Sequence, residues 1–158
     1  MDKVEILILR NLLYNEEYLR KVIPFIKADY YEDSNQRIVF EEIEKFVQEY
    51  NQPASKEVLC IEVEKRQDIN DTTFSEITKL ISYLEDVPTD YDWLCDTTEK
   101  WCRDRAIYLA LMESIALADG KDKDKDRGAI PSILSNALAV SFDTNIGHDY
   151  LIDYEQRY

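Results

Sequence analysis

The stretch AIYLALMESIALA, Ala106 to Ala118, decides the fold, because Glu113 is its only charged residue. Its apolar positions follow helical spacing and cover nearly the whole circumference. A helix built from it must therefore be buried on several sides. A second stretch, GAIPSILSNALAVSF from Gly128 to Phe142, holds no charged residue at all. Between them the run KDKDKDR, Lys121 to Arg127, reads as a loop, so the pair reads as a helical hairpin. A two-helix hairpin hides one stripe on each helix. The apolar surface left over is of the kind that marks an interface.

Outward from the hairpin the rest of the chain is also helical. Glycine occurs only at Gly120, Gly128 and Gly147, and the apolar residues fall at i, i+3 and i+4 spacings. A first helix is expected from about Asp2 to Tyr14, and a second from Glu16 to Ile26, bent or ended near Pro24. A third begins near Ser34 and carries Ile38, Phe40, Ile43, Phe46, Val47 and Tyr50. Its other face, with Glu41, Glu42, Glu44, Lys45 and Glu49, reads as solvated. After Pro53, Ser55 is a candidate N-cap for a helix through Arg66. Thr73 followed by Glu76 gives a capping-box pattern for a helix ending near Asp86. Val87 and Pro88 mark a break, after which one long helix runs from about Asp90 to Asp119. The expected architecture is all-α. Residues 1–88 form a small helical globule, 89–142 a long helical hairpin for self-association, and 143–158 a C-terminal linker with a docking helix.

Charge and chemistry exclude much. The chain of 158 residues carries a formal charge of -14, with 33 acidic residues against 19 basic ones spread through its length. No basic stripe is present to drive phosphate binding, so little direct DNA binding is expected. There is no GxxxxGK[ST] or GxGxxG run, and three scattered glycines cannot build a loop that cradles phosphate. His148 is the only histidine, which leaves no His-based metal site and no pair of Glu-x-x-His motifs. It reads as a residue of a surface turn. Tyr14, Tyr18, Tyr30, Tyr31 and Tyr50 lie among acids without interleaved arginines, which favours packing over base stacking. Three cysteines with no secretory signal read as reduced thiols in a cytoplasmic protein. Cys95 and Cys102 would stand about 10.5 Å apart along one helix, too far for a disulfide. The N-terminal run VEILIL is far shorter than the roughly 20 residues that span a membrane. No catalytic, cofactor or metal site is expected in this chain.

The segment Gly128 to Tyr158 resembles the region just ahead of the motor domain in DnaB-type hexameric replicative helicases of T-even-like bacteriophages. The residues that carry the resemblance are Gly128, Ala129, Ile130 and Pro131; Ser141, Phe142 and Asp143; Gly147, His148 and Asp149; and Asp153, Tyr154, Glu155 and Arg157. Upstream, the short first helix, the stretch ADYYEDSNQRIVFEEIEKF and the break at Pro53 are similar to that family's N-terminal domain in order and spacing. The resemblance implies a collar domain and linker helix without the ATPase motor. ATP and magnesium are then expected only in the motor, and the chain alone is not expected to be an enzyme. It further implies pairing through the hairpins into a dimer or a three-fold ring of dimers. Primase or a helicase loader would meet the collar, and the linker helix would dock on the neighbouring subunit's motor domain, in the cytoplasm of a bacterial host. On this reading the self-association surface comprises Ile107, Tyr108, Leu109, Leu111, Met112, Ile115, Ile133, Leu134 and Leu138. The docking stripe comprises Tyr150, Leu151, Tyr154 and Tyr158. An acidic adaptor, or an inhibitor that mimics DNA and binds another protein, is the alternative.

Overall fold

The computed structural model describes residues 3–121 and 126–142, and every regular element among them is helical. The α-helices are α1 (Lys3–Tyr14), α2 (Glu16–Val22), α3 (Ser34–Tyr50), α4 (Lys56–Glu64), α5 (Asp71–Ser82), α6 (Tyr91–Ala118) and α7 (Ile130–Leu138). Short 3-10 turns occupy Ile23–Phe25, Ala28–Tyr30 and Arg127–Ala129. The all-α reading is thus met among the described residues, and none of the helices there is long and apolar enough to cross a membrane. The chain divides into two compact units, Met1–Thr98 and Glu99–Tyr158. The sequence break at Val87 and Pro88 precedes α6, whereas the two units divide within it.

Local chemistry sets the helix boundaries in the first unit. Each helix start needs acceptors for its unpaired N–H groups, and short polar side chains supply them. The side chain of Asn15 accepts from Tyr18 N at 3.0 Å. Asp33 accepts from Asn35 N and Gln36 N at 2.9 and 3.0 Å. Ser55 accepts from Val58 N at 3.2 Å, as its position in the sequence suggests. Pro24 falls within the 3-10 turn that follows α2, where its missing N–H and the clash of its ring with the preceding turn end the α-helix. The cap of α5 corrects the expected capping box. Asn70, three residues ahead of Thr73, accepts from Thr73 N at 2.8 Å, and α5 ends at Ser82 and not near Asp86.

Helix α3 is the centre of this unit and packs on α1, α4, α5 and the Ala28–Tyr30 turn. Its Val39, Phe40 and Ile43 are wholly buried, together with Ile8, Leu9 and Leu12 of α1, Tyr18 of α2, Leu59 and Val63 of α4, and Ile77 of α5. The ring of Tyr31 stands 5.6 Å from that of Phe40, centre to centre. Tyr18 takes its polar end into the interior with it: its hydroxyl lies 2.6 Å from Thr98 Oγ1, which itself donates to the Leu94 carbonyl at 2.7 Å. Tyr14 donates from the rim to the Leu84 carbonyl at 2.9 Å. Helix α3 ends at Asn51, whose φ of 54° is left-handed. Arg20 grips that residue with two donors, one to Asn51 Oδ1 and one to its carbonyl, each at 2.9 Å.

The polar face of α3 is less solvated than its composition suggests. Glu42 is only 4% exposed and accepts from Arg66 Nη1 at 2.7 Å. Arg66 also reaches Glu41 at 3.1 Å and Asp68 at 2.8 Å, and Lys45 bridges Glu42 and Glu62 at 3.1 and 3.5 Å. A buried carboxylate is tolerated only when paired in this way. The Arg66 guanidinium, hydrogen-bonded first of all to Asp68, is held charged. In turn it holds Asp68 below the usual carboxylate range.

Candidate self-association surface

From Glu99 onward α6 has two unlike faces. Ala110, Ser114 and Leu117 are buried, at i, i+4 and i+7. Tyr108, Leu111, Met112 and Ile115 recur at i, i+3, i+4 and i+7 on roughly the opposite side of the helix, each close to half exposed. The guanidinium of Arg105 lies 4.9 Å above the Tyr108 ring, so the edge of this stripe is a cation–π contact. In α7, Ala137 is buried, Leu138 is 65% exposed, and Ile130, Ile133 and Leu134 are half-buried.

Specific contacts shape this unit. Helix α6 stops at Gly120, whose φ is +73°. Lys121 N donates to the Ala116 carbonyl at 2.9 Å and Gly120 N to Leu117 at 3.0 Å, the paired bonds of a Schellman motif. Arg127 then donates to the Ala118 carbonyl at 3.0 Å, satisfying another of the acceptors at the helix end. At the base, Glu99 Oε2 accepts from Ser141 Oγ and from Phe142 N, both at 3.0 Å, and from Arg103 at 3.3 Å. Arg103 Nε also donates to the Val140 carbonyl at 3.1 Å. The segment that leaves α7 is therefore fastened to the first turns of the unit. Helix α7 itself ends at Leu138, so the C-terminal end of the second expected helix, Ala139 to Phe142, turns back to be held by Glu99 and Arg103.

None of the nine residues assigned to self-association is buried: Tyr108, Leu111, Met112, Ile115 and Leu138 are exposed, while Ile107, Leu109, Ile133 and Leu134 are half-buried. Five large side chains near half exposure present on the order of 400–500 Å² of apolar surface, taking about 200 Å² for a large side chain. Two copies brought face to face would bury close to the roughly 1,000 Å² that a specific interface needs. Sequence reading missed the polar clasp of Glu99 and Arg103. Its only local signal is their i, i+4 spacing, and the partners lie some 40 residues further on. The linker residues Tyr150, Leu151, Tyr154 and Tyr158, with His148, lie outside the described residues.

No group of side chains among the described residues is arranged to hold a metal ion. The thiols are likewise unsuited to nucleophilic work. Cys102 is fully buried, and desolvation, with Glu99 nearby, pushes its thiol up to about 12. Burial also raises Cys95 and Cys60.

Fold and surface together define a protein that is all-helical among the described residues, with one helical unit built on its own core and a second unit that shows several large apolar side chains to solvent. No protein-family model matches the chain. It is similar to the DnaB-like replicative helicase of Enterobacteria phage T4, with 34% identity over 160 residues that take in 96% of this chain and 34% of the helicase. The chain thus spans about a third of the length of the relative it matches. The resemblance read from the sequence holds over nearly the whole chain.

Proposed function

We propose that this chain is the oligomerising and partner-docking part of a phage-type replicative DNA helicase, and that copies associate through the hairpin unit. The observation that carries the reading is the exposed stripe Tyr108, Leu111, Met112 and Ile115. It is regular and uncharged, with Leu138 it comes close to half of the area that a specific interface needs, and the similarity to a replicative helicase supports a role in an assembly. Pairs of hairpins closing into a dimer, or a three-fold ring of dimers, form a collar. Primase or a loader meets its outer surface, and the tail stripe of Tyr150, Leu151, Tyr154 and Tyr158 docks on the neighbouring subunit's motor domain. Hydrolysis of ATP with magnesium belongs to the motor, because this sequence has no loop to hold phosphate. One acidic cluster does not suit a DNA mimic: Glu41, Glu42, Glu62 and Asp68 are tied to Arg66, Lys45 and Lys65 and do not form a free row of charges.

Sedimentation velocity tests the reading. The chain is expected to run as a dimer or a higher even assembly at micromolar concentration. Leu111→Asp and Ile115→Asp are expected to run as folded monomers with unchanged helical content. Wild-type chain that stays monomeric to high concentration, or assemblies that survive both substitutions, would overturn it.

A further inference from the structure

The first unit carries an apolar groove that neither its own core nor the hairpin surface accounts for. It is an open cleft of about 570 Å³ lined by Lys3, Val4, Ile6, Leu7, Arg10 and Trp93. Val4, Ile6 and Leu7 are half-buried on α1, and Trp93, at the start of α6, is 52% exposed. A tryptophan this exposed beside aliphatic side chains is the usual anchor of a protein–protein contact. The cations at the two ends give the groove a sign. Lys3 and Arg10 are seven residues apart, hence on one face of α1 and about 10.5 Å apart along it. Neither makes an ion pair among the described residues, although the chain has 33 acidic residues for 19 basic ones. Arg10 Nε is moreover buried without a hydrogen-bond partner, so the guanidinium is incompletely satisfied at the groove wall.

We propose that this groove is the docking site for an acidic amphipathic helix of another protein. Such a helix would lay an apolar ridge at i, i+3, i+4 and i+7 on Ile6, Leu7 and Trp93. It would set two carboxylates, about two turns apart, against Lys3 and Arg10. Charge complementarity is the argument for this occupant. A chain of charge -14 repels acidic ligands overall, so two cations at either end of an apolar floor, without an ion pair among the described residues, select for acid locally and against the general field. The groove lies within the first unit, and the proposal stands whether or not the hairpin self-associates.

A peptide library tests it on the full chain. Sixteen-residue helices with the apolar ridge fixed and the flanking positions randomised between Glu and Lys are selected for binding. Enrichment of Glu at two flanking positions seven apart is the expected result. Selected peptides should lose at least tenfold in affinity on Trp93→Ala, a surface change that leaves melting unaltered. The double variant Lys3→Glu with Arg10→Glu should prefer the Lys counterpart of the same peptide. Enrichment of Lys in the wild-type selection, as the net charge alone would give, overturns the proposal, as does failure to enrich any peptide. Loss of the chain's own assembly in Trp93→Ala also overturns it, since the groove would then be occupied by a second copy.

Discussion

The two units of this chain place their large side chains differently. In the first, the large residues go inside: Tyr18, Tyr31, Phe40, Ile8, Leu9 and Leu12 are essentially inaccessible to water. In the second, Trp101, Leu117 and Phe142 are buried beside Ala110, Ser114 and Ala137, while Tyr108, Leu111, Met112, Ile115 and Leu138 face out. Hydrophobic stabilisation scales with the apolar area removed from water, so the first arrangement completes itself and the second does not. Helix α6 buries Ala110, Ser114 and Leu117 on one side and exposes Tyr108, Leu111, Met112 and Ile115 on the other, so its folding surface and its candidate binding surface lie on opposite sides. That division, more than the total apolar content, separates a unit's own core from a candidate interface.

Truncation should break the symmetry of the comparison most visibly. Phe40→Ala, at the middle of the first unit, is expected to cost about 3–5 kcal/mol in urea denaturation, the usual loss for a large buried aromatic. Next comes the ionic cluster. Arg66→Ala leaves the buried Glu42 with Lys45 alone and should cost about 2–3 kcal/mol; if burial of an unmatched charge is the cause, the volume-conserving Arg66→Met should cost about as much, and adding Glu42→Gln to it should recover at least half of the loss. Asn70→Ala removes the acceptor for Thr73 N and should cost about 1 kcal/mol, with Thr73→Ala nearly neutral; the reverse order would restore the capping box as the start of α5. The smallest effect is expected in the second unit. Leu111→Ala in a variant already made monomeric by Ile115→Asp should change the unfolding free energy by no more than about 0.5 kcal/mol. A loss of several kcal/mol there would mean that the stripe belongs to the chain's own core.

Helix identity was legible because it is local. Apolar spacing fixed α1, α3 and α6, the side chain of Ser55 marked the start of α4, and Pro24 marked the end of α2. Two of the misreadings share one physical origin, which is pairing over distance in sequence. Glu42 looks solvated beside Lys45 until Arg66, on a different segment, is brought against it. Glu99 looks like any helix-surface acid until Ser141 and Phe142 return to it. The candidate surface was legible for a different reason. A helix apolar all round has more stripes than one neighbour can cover, and that excess can be read without knowing where the neighbour lies. Which of its residues turn outward depends on the buried set of Ala110, Ser114 and Leu117, and periodicity alone does not choose between the two faces.

The two left-handed residues among those described answer one problem with different chemistry. At Asn51 the side chain and carbonyl are gripped by Arg20, and the grip holds a conformation that an ordinary L-residue avoids. At Gly120 there is no grip and no crowding: a methyl group added there would meet no atom within 4 Å. What position 120 restricts is therefore handedness and not volume. A D-alanine introduced by chemical synthesis would fit the +73° backbone without strain and would lower the entropy of the unfolded chain. The end of α6 would then be held more firmly than glycine holds it, whereas L-alanine at the same position would weaken it. A mirror-image residue that improves a natural turn is the signature of a site whose only demand is chiral.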